Sequence, residues 1–86
     1  MELVWVTKAE YIKRYKIKIL FNGMTEGIVD LENLLKGPVF EPLKEESFFK
    51  QFSINSWTLE WPNGADFAPE YLYQLAKELQ LEHANK

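Results

Sequence analysis

The chain contains no cysteine. That excludes a disulfide framework, a thiolate nucleophile and a zinc site built on Cys ligands. Histidine is almost as scarce: His83 stands alone, so a His-based triad or His-rich metal site has too few parts. The four glycines, at 23, 27, 37 and 64, are scattered as turn residues and form no phosphate-cradling loop. Ser47, Ser53 and Ser56 lack the strand, Gly-x-Ser-x-Gly and helix context of an activated nucleophile. No apolar run exceeds four residues, against the roughly 18–20 that span a bilayer. No basic segment leads into an apolar one at the start of the chain. A cytoplasmic location without membrane attachment is the expectation. Net charge is −3, so a global positive field for nucleic acid is missing.

Aromatic residues are abundant. Three Trp, four Tyr and six Phe lie among 86 residues, a length that suits one domain over 1–86. A domain this small buries only about 60–65% of its unfolded surface. Each buried aromatic removes about 150–250 Å² from water, and several can stabilise a core without disulfides.

Read in order, Leu3 to Thr7 is a first strand, short and rich in β-branched and aromatic residues. Tyr15 to Phe21 alternates with period two, which puts Tyr15, Ile17, Ile19 and Phe21 on a core face and Lys16 and Lys18 in water. Asn22-Gly23 then signals a tight hairpin into a strand from Thr25 to Asp30. Asp30 caps a helical turn through Leu31–Leu35, ended by Gly37-Pro38. Two prolines four apart make Pro38 to Leu43 an extended loop. Lys44 to Lys50 forms one helical turn anchored by Phe48, Phe49 and Phe52.

A second hairpin joins Phe52–Ile54 to Trp57–Trp61 through Asn55-Ser56, with Trp57, Leu59 and Trp61 on one face and Thr58 and Glu60 on the other. Pro69 opens a helix to about Leu81, whose Leu72, Leu75, Ala76 and Leu79 form one apolar stripe. Residues 82–86 are a frayed tail. The expected architecture is α+β: a mainly antiparallel sheet of two hairpins and an N-terminal strand, crossed by a C-terminal helix.

Three constellations are candidate sites. The densest is Trp61-Pro62-Asn63-Gly64-Ala65-Asp66-Phe67, between strand and helix. A Pro-Asn-Gly turn explains most of it. Asp66 is the exception, because the residue three ahead is Pro69, which has no N–H to cap, so an Asx-turn to Ala68 or a reach across to another side chain is expected. Trp61, Asn63 and Asp66, with Phe40 and Glu41, are the candidate binding surface.

The second constellation is basic. Residues 1–18 carry five basic and two acidic side chains, a net +3, against −6 in the remainder. Lys13, Arg14, Lys16 and Lys18 form a candidate nucleic-acid surface, with Tyr11 and Tyr15 as base-stacking rings. Lysines guarding a strand edge explain the same pattern. The third comprises the carboxylates Glu41, Glu60 and Asp66, beside aromatic segments where burial raises a pKa and paired oxygens hold a divalent cation.

Gly37-Pro38-Val39-Phe40-Glu41-Pro42-Leu43, Phe48-Phe49 and Trp61 to Phe67, in that order, resemble the domain of unknown function 2442 family of small bacterial proteins. Phe21-Asn22-Gly23 and Asp30-Leu31 follow the same pattern, and the likeness spans about residues 3–75. It implies a compact α+β fold, no established catalytic residues, no cofactor, and gene neighbourhoods like those of toxin–antitoxin pairs. The expected role is a non-enzymatic module that binds a small protein partner. Nucleic-acid binding and a small carboxylate or metal-dependent enzyme are the alternatives, and a homodimer through a free sheet edge stays open.

Overall fold

The structure, a computed structural model, describes residues 3–55 and 57–84, and side chains in the last helix as far as residue 78. Ser56 and the side chains of Leu79 and His83 lie outside it.

Alternation of apolar and charged residues builds the first layer. Strands β1 (Val6–Lys13), β2 (Lys16–Phe21) and β3 (Glu26–Asp30) form an antiparallel sheet in that order. Ile17, Ile19, Phe21 and Val29 are buried on its inner face. Lys16 and Lys18 point outward, and Glu10 sits opposite Lys18 across the β1–β2 ladder, a favourable cross-strand charge pair.

The first strand is therefore longer and later than Leu3–Thr7. Its hairpin closes through Arg14-Tyr15, both left-handed at φ 46° and 66°, between the paired Lys13 and Lys16. Tyr15 is thus a turn residue. Two consecutive positive-φ residues match the twist of the flanking strands, here without the Asn or Gly that usually marks them. The Asn22-Gly23 connection is wider than the expected two-residue turn. Its left-handed residues are Gly23 and Met24, and the Phe21 N–H donates to the Thr25 carbonyl at 2.7 Å.

Beyond β3, the Asp30 carboxylate accepts the Glu32 N–H at 3.1 Å and starts a 3-10 turn, Glu32–Leu34. Pro38 to Leu43 is not extended. A second 3-10 turn, Glu41–Lys44, has Pro42 in its first turn, where the missing N–H has no role, and buries Leu43. The helical turn α1 (Glu46–Phe49) buries Phe49 completely.

Strands β4 (Ser53–Asn55) and β5 (Thr58–Glu60) make a separate two-stranded sheet. Asn55 pairs with Thr58 and so belongs to β4, not to the Asn55-Ser56 loop expected there. Trp57 leaves the strand, at φ 75°, and is 67% exposed. It does not share the buried face of Leu59 and Trp61. Thr58, expected in water, is buried with its hydroxyl donating to the Phe67 carbonyl at 2.6 Å.

Helix α2 (Pro69–Ala84) runs three residues beyond Leu81, into the expected tail. Leu72 and Ala76 are buried and Leu75 half-buried. The helix packs over β3 where Gly27 has no side chain, since a Cβ there would stand 2.8 Å from the Ala76 Cβ. Both sheets and α2 enclose one core, whose largest buried side chains are Trp61, Phe21 and Phe49.

Candidate functional site

The two proline-containing segments meet in space. The Asn63 amide donates to the Val39 carbonyl at 2.8 Å, and the Phe40 and Phe67 rings stack with centroids 5.0 Å apart. The turn is the expected one: the Gly64 N–H donates to the Trp61 carbonyl at 2.9 Å, and Gly64 takes φ 90°. The Asn63 side-chain oxygen accepts the Ala65 N–H at 3.2 Å.

Three of the five candidate binding residues are spent on this junction. Trp61 is 2% exposed, and its indole N–H donates to the buried Phe49 carbonyl at 2.8 Å. It offers no surface. Phe40 is half-buried, and Asn63 uses both ends of its amide on backbone. Glu41 and Asp66 are exposed. Glu41 pairs with Lys44 at 3.1 Å, whereas the Asp66 carboxylate makes neither the Asx-turn nor the cross-contact expected of it among the described residues.

The basic hairpin is electrostatically paired. Arg14 faces Glu32 at 3.6 Å, Lys16 faces Asp30 at 3.9 Å and Lys18 faces Glu26 at 3.7 Å. Such surface pairs contribute little stability, but each carboxylate cancels the field that would draw a phosphate. Lys13 makes no ion pair among the described residues. Tyr11 and Tyr15 do not lie open for stacking: both rings meet Phe49 edge-on, at 6.0 and 5.1 Å. The Tyr15 hydroxyl donates to the Lys44 carbonyl and the Tyr11 hydroxyl to Glu46. The hydrogen bond from Tyr11 holds the Glu46 carboxyl below its usual range, while partial desolvation, with the same bond behind it, raises the Tyr11 phenol.

Of the three carboxylate residues, Glu60 and Asp66 face each other across an isolated antiparallel bridge, but Glu41 does not join them. Glu60 accepts from the Asn55 amide, and Glu41 is held by Lys44. Among the described residues no cluster of His, Asp or Glu could hold a metal ion, and no helix is long and apolar enough to cross a membrane.

A surface the sequence reading passed over is built by the first residues of the chain, the β4–β5 turn and the start of α2. Leu3, Val4, Trp5, Trp57, Pro69 and Glu70 line one groove of about 500 Å³. Its position is fixed by backbone. The Asn22 side chain accepts the Trp5 N–H and donates to the Leu3 carbonyl, both at 2.9 Å, and the Val6 N–H donates to the Trp57 carbonyl at 2.8 Å. The Trp5 and Trp57 rings meet edge-to-face at 5.8 Å. Leu3 is 75% and Trp57 67% exposed, and Ile54 extends the apolar surface beyond Trp57. Among the described residues Glu70 is the one charged residue of the lining and has no ion-pair partner.

Only turn chemistry could have pointed to Trp57. Shifting the β4–β5 loop by one residue moves it from a core face to the loop tip. No composition signal distinguishes the two registers.

A family model described as protein of unknown function (DUF2442) matches residues 6–78. No curated protein and no solved structure matches the chain.

Proposed function

The chain belongs to the DUF2442 family, described as proteins of unknown function, and on that premise we propose that it is a non-enzymatic protein-interaction module. The proposed contact surface is the Trp5–Trp57 ridge, not the Trp61–Phe67 turn. One observation carries this reading: Trp57 sits two-thirds exposed in a left-handed backbone conformation. A bulky non-Gly residue there costs on the order of 1–2 kcal/mol, and exposing an indole forgoes the burial that the rest of the aromatic set obtains. Inside the fold the ring gains only an edge-to-face contact with Trp5, and its carbonyl accepts the Val6 N–H. Trp and Tyr dominate interface hot spots because one ring brings large area at low entropy cost.

The partner proposed is a small protein, as the toxin–antitoxin-like gene context of such chains suggests; the antitoxin-like role belongs to the same proposal. Charge favours a basic one, since the chain carries −3 overall and, among the described residues, the groove's one charged residue is acidic.

Trp57→Asn tests the surface. Asn tolerates positive φ, so the variant keeps or gains stability while losing the ring. Tagged wild type and variant are passed through bacterial lysate with and without nuclease treatment, and bound proteins are identified by mass spectrometry. Support is a stoichiometric small protein held by the wild type and lost from a variant with an undiminished urea midpoint. A partner held equally by both overturns the surface. Retention lost on nuclease treatment would move the function to the basic hairpin.

A further inference from the structure

We infer that the notch between Trp5, Trp57 and Glu70 is an arginine-binding site, receiving a guanidinium side chain of a basic protein partner. The inference rests on the ridge being the contact surface. It goes beyond that reading by naming the chemistry that fills the notch.

Three features of the groove select a cation. Its walls include two indoles, and indole is the best of the aromatic faces for attracting a positive charge. An edge-to-face pair at 66° covers one face of one ring only, so a planar group can stack on another face. Among the described residues Glu70 is the one charged residue in the lining, and it is unpaired. A neutral apolar partner would leave that carboxylate desolvated beside hydrocarbon, which is costly. An anionic partner would be repelled. Guanidinium satisfies both halves at once: it stacks on an aromatic face and offers a planar fork of N–H donors to a carboxylate. Lysine provides only a point charge.

Several acidic groups elsewhere on the molecule are engaged, although the Asp66 carboxylate is not. Glu32, Asp30, Glu26 and Glu41 each face a Lys or Arg, and Glu46 accepts from Tyr11. Position in the first turn of α2 explains part of Glu70, because a carboxylate there complements the helix dipole. It does not explain two indoles beside it.

The test titrates N-acetyl-arginine amide into the full chain, with N-acetyl-citrulline amide, equal in shape but uncharged, as the comparison. The indole N–H signals report it by NMR. Trp61 is the internal control, because its N–H is buried against the Phe49 carbonyl. Expected are shifts at Trp5 and Trp57, none at Trp61, and an arginine affinity about tenfold above that of citrulline, the ratio set by ~1.4 kcal/mol. Glu70→Gln should weaken arginine severalfold and leave citrulline unchanged. Equal response to the two compounds, no shift at Trp5 and Trp57, or an unaltered Glu70→Gln titration overturns the inference.

Failure here is separable from failure of the surface. A partner lost with Trp57→Asn yet held fully by Glu70→Gln keeps the ridge and removes the arginine.

Discussion

Tyr11 and Glu46 join β1 to α1 by a single hydrogen bond across 35 positions of chain. Lys50 lies over the Tyr11 ring at 5.2 Å. This contact was not readable from residue types, because neither position belongs to a motif and the pairing exists only once Phe49 seats the ring. Its consequence is pH dependence with a definite sign. The folded state holds the Glu46 pKa low, so it stabilises the fold above the unfolded carboxyl pKa, and that contribution is lost as pH falls through the folded value. The Tyr11 pKa is raised on folding, so its contribution is present below the phenol's ordinary pKa of about 10 and disappears as pH rises through the folded value. Glu46→Gln removes the acid limb. Urea midpoints measured from pH 3 to pH 7 should rise less steeply in Glu46→Gln than in the wild type. Parallel profiles would show that the bond does not contribute in solution.

Helix α2 owes its seat on β3 to a missing side chain. With a Cβ on Gly27 only 2.8 Å from the Ala76 Cβ, and 3.5 Å from Ala76 backbone atoms, neither element can yield without moving as a whole. Gly27→Ala should therefore lower stability by about 1–3 kcal/mol, the usual cost of overpacking. Ala76→Gly alone costs roughly 1 kcal/mol in helix propensity, but combined with Gly27→Ala it should cost less than the two changes summed. Additive losses in urea denaturation would mean that α2 does not approach β3 this closely. Much at this scale was legible beforehand. The period-two run at Ile17, Ile19 and Phe21 needs only local order to declare its buried face. Pro69 and the Leu72–Ala76 stripe placed α2 for the same reason. What failed were turns held by tertiary contacts. Arg14-Tyr15 adopts left-handed geometry because the Tyr15 ring packs on Phe49 and its hydroxyl reaches the Lys44 carbonyl. Propensity cannot see partners that distant.

Across the molecule, one chain of aromatic contacts links every layer. Tyr11 of β1 and Tyr15 of the β1–β2 turn meet Phe49, Phe49 meets Trp61 after the second sheet, and Trp61 meets Phe67, which touches Phe40 and the α2 residue Tyr71. The Trp61–Phe67 segment stands out in residue type and in contacts alike. Whether a Trp beside Pro-Asn-Gly faces inward or outward depends on an acceptor elsewhere, here the Phe49 carbonyl, so its role as an internal anchor was invisible. The same blindness hid Trp57 as a surface residue. The two sheets share no ladder; beside the Val6 N–H bond to the Trp57 carbonyl, this aromatic link, with fully buried Phe49 at its centre, couples them. An 86-residue domain has a total stability of roughly 4–13 kcal/mol at about 0.05–0.15 kcal/mol per residue. Phe49→Ala should cost about 3–5 kcal/mol, enough to unfold a chain near the lower end. Phe49→Leu keeps most of the volume, should cost less than about 2 kcal/mol, and leaves a measurable transition. Wild type and Phe49→Leu should each show one urea transition, coincident by tryptophan fluorescence and far-ultraviolet circular dichroism, with the variant midpoint lower. Separate transitions in the wild type would mean that the sheets unfold independently and that Phe49 joins nothing.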